Sequence, residues 1–451
     1  MAEKRELSTD STTSRAGLAG DPADRKGVFG ALRVRNYRLF ASGQVVSNVG
    51  TWMQRIAQDW LVLELSGYDP VALGIAASLQ FLPTLFLTLW AGVLADRVDK
   101  RKLLMLVQAG MALSALALGL LDVTGIVRLW HVYLLCLVFG LFTAFDPPVR
   151  QSFVGEMVGR EHLANAVALN SSTFNLARIV GPAIAGVMII WTGTGWVFLV
   201  NAVSTLAVIF GLLRMNAAEL HRTPVTAARR GQLRAGLRYV RGRPDIIAVL
   251  VLVFCVSTFA FTFFTTLAIA AANVFHREAD GYGLLSTLLA VGSFSGALLA
   301  VRRSTRRKPG LKLLIGAGFL FGVFEVVVGL MPTYLAFGLA LIPCGLAMMT
   351  FMNTANSTIQ LSTAPEMRGR VMALYMLVFI GGNPVGAPMT GWMAAEFGGR
   401  SPFVIGGAIA VLSTVVVGIV LARRGGIQVR SRLPWTRRPA ATRAPELARV
   451  D

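Results

Sequence analysis

Between residues 39 and 422 the chain is a nearly continuous series of apolar runs parted by short connections. An α-helix rises 1.5 Å per residue, so about 20 residues cross the ~30 Å hydrocarbon core of a bilayer. The runs parse into about twelve such segments: 39–65, 71–95, 103–121, 130–150, 164–190, 195–213, 246–275, 281–301, 312–331, 334–360, 370–395 and 402–422. A soluble fold has no interior large enough to hide them, and in lipid each backbone N–H and C=O must be satisfied within the segment itself. The expectation is an all-α polytopic membrane protein with twelve transmembrane helices. Composition agrees, with 55% hydrophobic and 15% charged residues and a mean hydropathy of +0.62, far from an average soluble domain. The first 36 residues are polar and charged without an apolar core, which predicts no cleavable signal peptide and a cytoplasmic N-terminus.

The net charge of +20 is distributed by connection. Lys and Arg number four in 96–102, eight in 214–245, six in 302–312 and two in 366–370, whereas 66–70, 192–195 and 332–333 have none and 122–129, 276–280 and 396–401 one each. This is the positive-inside pattern with both termini cytoplasmic, and the basic tail beyond residue 423 fits it. Basic residues spread among membrane connections form no folded nucleic-acid-binding module, so no nucleic-acid partner is expected. Anionic lipid headgroups are the natural partners of residues 26–38 and 423–438.

The chain repeats itself at an offset of 205. Gly140, Leu141, Ser152, Glu161, Ala168, Leu169, Phe174, Val180, Gly181 and Gly186 find Gly345, Leu346, Ser357, Glu366, Ala373, Leu374, Phe379, Val385, Gly386 and Gly391. Six crossings return a chain to its starting side, so two pseudo-symmetric six-helix halves in the same orientation follow. The predicted organisation is an N-terminal tail (1–36), an N-terminal half (37–214), a basic cytoplasmic linker (215–245), a C-terminal half (246–424) and a basic C-terminal tail (425–451).

Catalytic and metal chemistry find no support. Cys136, Cys255 and Cys344 fall inside spans, the four histidines lack ligand spacing, and there is no phosphate-cradling Gly-x-x-x-x-Gly-Lys-Ser/Thr sequence. No enzyme and no cofactor are expected. Polar residues inside the spans are the candidate site. At about 100° per residue, Gln44, Asn48, Thr51, Arg55, Gln58 and Asp59 share one face of the first span. Such a stripe is tolerated in a bilayer only against a water-filled cavity or partners within the bundle. Shorter stripes occur in the fourth span (Asp146, Arg150), the fifth (Asn175, Arg178) and the tenth (Asn353, Asn356, Gln360), and the seventh adds Phe261, Phe264 and several threonines. Amides, hydroxyls and aromatic rings together suit an amphipathic small organic molecule. Arg55 and Asp59, four apart, are placed to pair along the helix. Alternatively Asp59 takes and loses a proton in each cycle, since desolvation makes its charged form costly.

The stretch Gly92-x-Leu94-Ala95-Asp96-Arg97 followed by Lys100, Arg101 and Lys102, between the second and third spans, resembles the loop signature of the major facilitator superfamily. Asp99 stands where that signature commonly has glycine. Trp52-Met53-Gln54 with Ala57-Gln58-Asp59-Trp60, Asp146 to Gln151 and Asn175 to Gly186 extend the likeness to the exporter branch, and within it to the bacterial enterobactin-exporter-like (transmembrane secretion effector) family. The resemblance implies proton-coupled efflux by alternating access in the inner (plasma) membrane, by a monomer. It implies gating by Gly92, Asp96, Arg97, Lys100, Arg101, Asp146 and Arg150, with Arg150 helping to hold the Asp96 loop. Asp59, Arg55 and Asp146 are then the proton-coupling candidates, and Gln44, Asn48, Gln58, Asn175, Arg178, Asn353, Asn356 and Gln360 the cavity candidates. Gly181, Pro182 and Gly186 are similar to the fifth-helix motif of antiporters, with Ala185 in place of a glycine. An importer or facilitator, and a non-transporting sensor or scaffold with the same fold, remain as alternatives.

Overall fold

The computed structural model describes residues 29–95, 97–221, 232–304 and 310–423. Among them the chain is helical throughout, with no strands. The N-terminal half comprises α1 (Arg35–Leu65), α2 (Pro70–Ala95), α3 (Lys100–Val123), α4 (Leu129–Gly159), α5 (Glu161–Thr192) and α6 (Thr194–Arg214). A linker helix, α7 (Gln232–Arg241), precedes the C-terminal half: α8 (Pro244–Phe259), α9 (Phe263–Ile269), α10 (Ala279–Ser304), α11 (Leu311–Leu330), α12 (Tyr334–Ser362), α13 (Arg368–Phe397) and α14 (Ser401–Arg423). Eleven segments are long and apolar enough to cross a membrane, with α8 and α9 forming one of them. Helix α1, at 31 residues, is the twelfth; it has the length and misses on apolarity because of its polar stripe. On α3, Leu106, Leu113 and Leu120 recur every seven residues and are all exposed, the stripe expected of a lipid-facing surface.

The internal repeat is visible in the packing. Glycines let helix backbones approach closely in a membrane bundle, and related glycines make related contacts. A Cβ on Gly140 of α4 would overlap the Gln80 carbonyl of α2, and one on Gly345 of α12 the Leu289 carbonyl of α10. Gly181 of α5 sits against Trp52 of α1, and Gly386 of α13 against Thr258 of α8. Gly186 and Gly391 pack across the halves, on Asp280 at the start of α10 and Pro70 at the start of α2.

Three elements differ from the sequence reading. The fourth span, expected to stop near residue 150, runs on to Gly159 and meets α5 without a loop, the chain turning at Gly159 with φ 67° and ψ −175°. That conformation is essentially restricted to glycine. The extension is held because Phe153 and Met157 are buried and Glu156 pairs with Lys100 of α3 at 2.5 Å. The seventh span, expected unbroken over 246–275, is interrupted at Ala260–Thr262 and ends in a π-helical turn, Ala270–Val274. Gly386 and Gly406 crowd the carbonyls of Thr258 and Phe259, and Thr262 shares a 2.9 Å hydrogen bond with Thr390. These tertiary contacts replace the intrahelical ladder there. The C-terminal half begins with Pro244 at the first turn of α8, and Asp245 accepts two hydrogen bonds from Arg243, at 2.7 and 2.9 Å.

Candidate functional site between the two halves

Twelve crossings put the start of α1 and the end of α14 at one end of the bundle, here the near end, and the α1–α2 turn at the far end. Contacts between the halves concentrate at the far end. There a Cβ on Gly283 would overlap the Pro182 carbonyl and one on Gly74 the Ala387 carbonyl, Ser78 donates to the Pro384 carbonyl at 2.7 Å, and Asn273 donates to the Tyr68 carbonyl at 3.0 Å.

Just inside this seal lies the charged part of the α1 stripe. Arg55 Nε stands 3.2 Å from Asp59 Oδ2, and the Tyr282 hydroxyl of α10 donates to the same oxygen at 2.8 Å. Asp59 is 1% exposed, and its Oδ1 has no hydrogen-bond partner. Arg55 also donates to Gln80 Oε1 of α2 at 2.7 Å, an acceptor shared with Gln58 Nε2 at 2.9 Å. The Arg55 guanidinium lies 5.2 Å from the Phe81 ring centroid and 5.6 Å from that of Phe264. Trp52 packs on Phe264 at 5.3 Å and on Phe174 at 5.5 Å.

The other sequence-derived candidates form separate groups. Gln44 and Asn48 are buried and hydrogen-bond each other at 2.8 Å, about 15 Å or more down the helix from Asp59. The stripe is thus split, its lower part paired with itself. Gln54, on another face, meets Asn201 of α6. In α4, Asp146 pairs with Arg150 at 2.9 Å and accepts from Gln108 of α3 at 2.8 Å. Asp146 therefore belongs to a site within the N-terminal half and is not joined to Asp59. Asn175 donates to the Ser171 carbonyl at 2.8 Å, and Arg178, one turn on, reaches Ser293 Oγ of α10 at 3.4 Å. In α12, Gln360 donates to Asn356 at 2.6 Å and Asn353 is half-buried, both toward the near end.

At the near end Arg101 donates to the carbonyls of Leu212 and Leu213 at 2.7 and 3.0 Å, satisfying the last turn of α6. Lys100 pairs with Glu156, and Arg97 is exposed. Asp99 caps α3, its side chain accepting from Lys102 N at 3.1 Å, which is what an aspartate does where the signature has glycine. Gly92 lies in the last turn of α2. Asp96 lies outside the described residues, so its expected link to Arg150 does too; Arg150 is engaged with Asp146.

Sequence reasoning missed Tyr282, Gln80 and Glu156. Gln80 is a lone amide in an apolar run and was detectable as such; Tyr282 opens an apolar span and carried no signal.

The family model for the transmembrane secretion effectors of the major facilitator superfamily matches residues 26–443. The chain belongs to this family. It is 23% identical to the staphyloferrin A transporter of Staphylococcus aureus, over 84% of this chain and 94% of that protein. It is 27% identical to the enterobactin exporter EntS of Citrobacter koseri, over 76% of this chain and 80% of that one, and 27% identical to the multidrug efflux pump Tap of Mycolicibacterium fortuitum, over 87% and 97%. Among solved structures, a POT family transporter in complex with 5-aminolevulinic acid superposes with a TM-score of 0.69 at 12% identity, covering 89% of this chain and 98% of that chain. A bacterial homologue of the lysosomal transporter Spinster, in an inward-facing conformation, gives 0.65 at 14%, covering 89% and 96%. These likenesses carry the fold. The protein is a multi-pass membrane transporter of the major facilitator superfamily that handles a small molecule.

Proposed function

We propose that the protein exports an amphipathic organic molecule from the cytoplasm in exchange for protons, by alternating access, as a monomer with no cofactor beyond the proton gradient. The observation that carries this reading is the placement of Asp59. Its carboxylate is enclosed, paired on its own helix with Arg55, and hydrogen-bonded across the halves to Tyr282. The hydrogen bond from Tyr282 ties the Asp59 carboxylate to the closed far end, so the protonation state of Asp59 and closure are thermodynamically linked. The relatives named for export and efflux support the outward direction.

The Lys/Arg distribution supports a near end in the cytoplasm, where the basic connections and tails meet anionic lipid headgroups. In intact cells, cysteine at Thr124 should be labelled from outside by a membrane-impermeant maleimide, and cysteine at Glu219 should not; both positions are exposed. The reverse result would invert the orientation. The deciding experiment is substrate flux in reconstituted vesicles with and without an imposed proton gradient. Accumulation that follows the gradient supports antiport; gradient-independent equilibration would make the protein a facilitator, and no flux with no change of conformation a scaffold.

A further inference from the structure

Among the described residues, Arg178 of α5 has no counter-ion. Arg55, Arg150 and Lys100 each pair with a carboxylate, but no Asp or Glu among the described residues pairs with Arg178. A guanidinium has five N–H donors. Here one nitrogen makes the long 3.4 Å bond to Ser293, and Nε is sealed from solvent with no acceptor. The Trp52 ring lies 5.9 Å from its Cζ. Such a cation–π contact offsets only part of the cost of desolvating an ion.

The surroundings show where an acceptor would come from. Along α5, Gly181 packs on α1, whereas Pro182 and Gly186 pack on α10. At 100° per residue, Ser171, Phe174, Asn175 and Arg178 fall in the angle between these two directions, facing the space between the halves. Ser171 and Phe174 are exposed and Asn175 and Arg178 half-buried, so this face stays open from the near end up to Arg178. Immediately beyond, the Gly181, Pro182 and Gly186 contacts close it. Trp52, with the rings of Phe174 and Phe264 packed on it, forms the wall beside the guanidinium.

We infer that Arg178 anchors the anionic group, a carboxylate or phenolate, of the transported molecule, whose aromatic or unsaturated body lies against Trp52, Phe174 and Phe264. Arg55 and Asp59 compensate each other, which leaves Arg178 as the uncompensated charge of this region, and a bidentate carboxylate satisfies the donors now idle. A neutral guest leaves the charge of Arg178 uncompensated and a cationic guest is repelled. Export of an anion from a cell interior that is negative is itself favoured by the membrane potential. The inference rests on the exporter reading above, because it takes the near end as the side from which substrate enters.

The test is equilibrium binding of 1-naphthoate and of its neutral analogue 1-naphthamide to the purified full-length protein in nanodiscs of uncharged lipid. Naphthoate should bind at least tenfold tighter than naphthamide. Arg178→Gln should remove that preference while changing naphthamide affinity less than twofold, and Arg178→Lys should keep part of it. If Arg178→Gln loses both probes, the lysine variant decides: a retained preference supports the anchor, a lost one overturns it. Equal binding of the two probes by the unaltered protein, or no binding of naphthoate, also overturns it. Binding needs no gradient, so a preference for naphthoate combined with gradient-independent flux would sink the antiport reading and leave the anchor standing.

Discussion

The first helix of the N-terminal half is continuous and charged, whereas its counterpart in the C-terminal half is broken and apolar. The register between them is set by aromatic pairs: Trp52 meets Phe174 as Phe261 meets Phe379, and Phe174 and Phe379 are repeat partners. Counting on from these, Arg55 and Asp59 correspond to Phe264 and Ala268. Tyr282, fourth residue of α10, corresponds to Leu73, fourth residue of α2. Ala268 and Leu73 are fully buried. One copy of a duplicated interface therefore carries ionisable side chains joined by hydrogen bonds, and the other carries buried apolar ones. A single titratable site suffices to bias a two-state rocking motion, and a second would add another buried charge to desolvate. The break at Ala260–Thr262 gives the apolar copy its own speciality, a place where one crossing bends.

The largest effect expected from disturbing this asymmetry is at Asp59. Asp59→Asn should reduce gradient-driven accumulation at least tenfold while leaving substrate exchange without a gradient, measured as vesicle flux. If the asparagine variant still concentrates substrate, the charged copy is not the coupling site and Asp146 is next. If the role of Asp59 is instead structural, the loss should appear as poor insertion, rescued when Arg55→Ala is combined with Asp59→Ala.

Next come the glycines that the halves share. Gly186→Leu and Gly391→Leu each drive a side chain into backbone across the seal. Both should lower transport roughly tenfold at equal expression, and to a similar extent. A strong effect of one alone would show that the halves are not equivalent even in the part of the interface that carries no charge.

Tyr282→Phe should have a smaller effect, a several-fold drop in initial rate, since it removes one hydrogen bond while Arg55 still compensates the Asp59 charge. Substitution of Leu73 by Met on the apolar copy should leave the rate within twofold. The smallest effect is at Asp99: Asp99→Ala removes the cap of α3, costing about 1 kcal/mol, visible as a slightly lower Tm with transport unchanged.

The crossings and their grouping into halves were legible because apolar runs of bilayer length and a gapless internal repeat are properties of the sequence itself. The polar stripe on α1 was legible for the same reason, as helical periodicity. What the sequence did not reveal is who answers the stripe. Tyr282 lies 223 residues from Asp59 and looks like any aromatic at the start of a span. The break after Phe259 was equally hidden, because neither glycine nor proline stands there and the cause lies in Gly386 and Gly406 on other helices. The fusion of α4 with α5 was misjudged because Asp146, Arg150 and Glu156 look like the end of a span until their partners Gln108 and Lys100 are known.

The far-end seal consists chiefly of helix backbones brought together at Gly74, Gly186, Gly283 and Gly391, with neutral hydrogen bonds from Ser78 and Asn273. The ion pair just inside it, Asp59 with Arg55, is enclosed. Dissolved ions screen exposed charges over a Debye length of about 8–10 Å and leave enclosed pairs almost untouched. The contribution of these backbone contacts and of the enclosed pair to closure should therefore be nearly the same in dilute buffer and in brine.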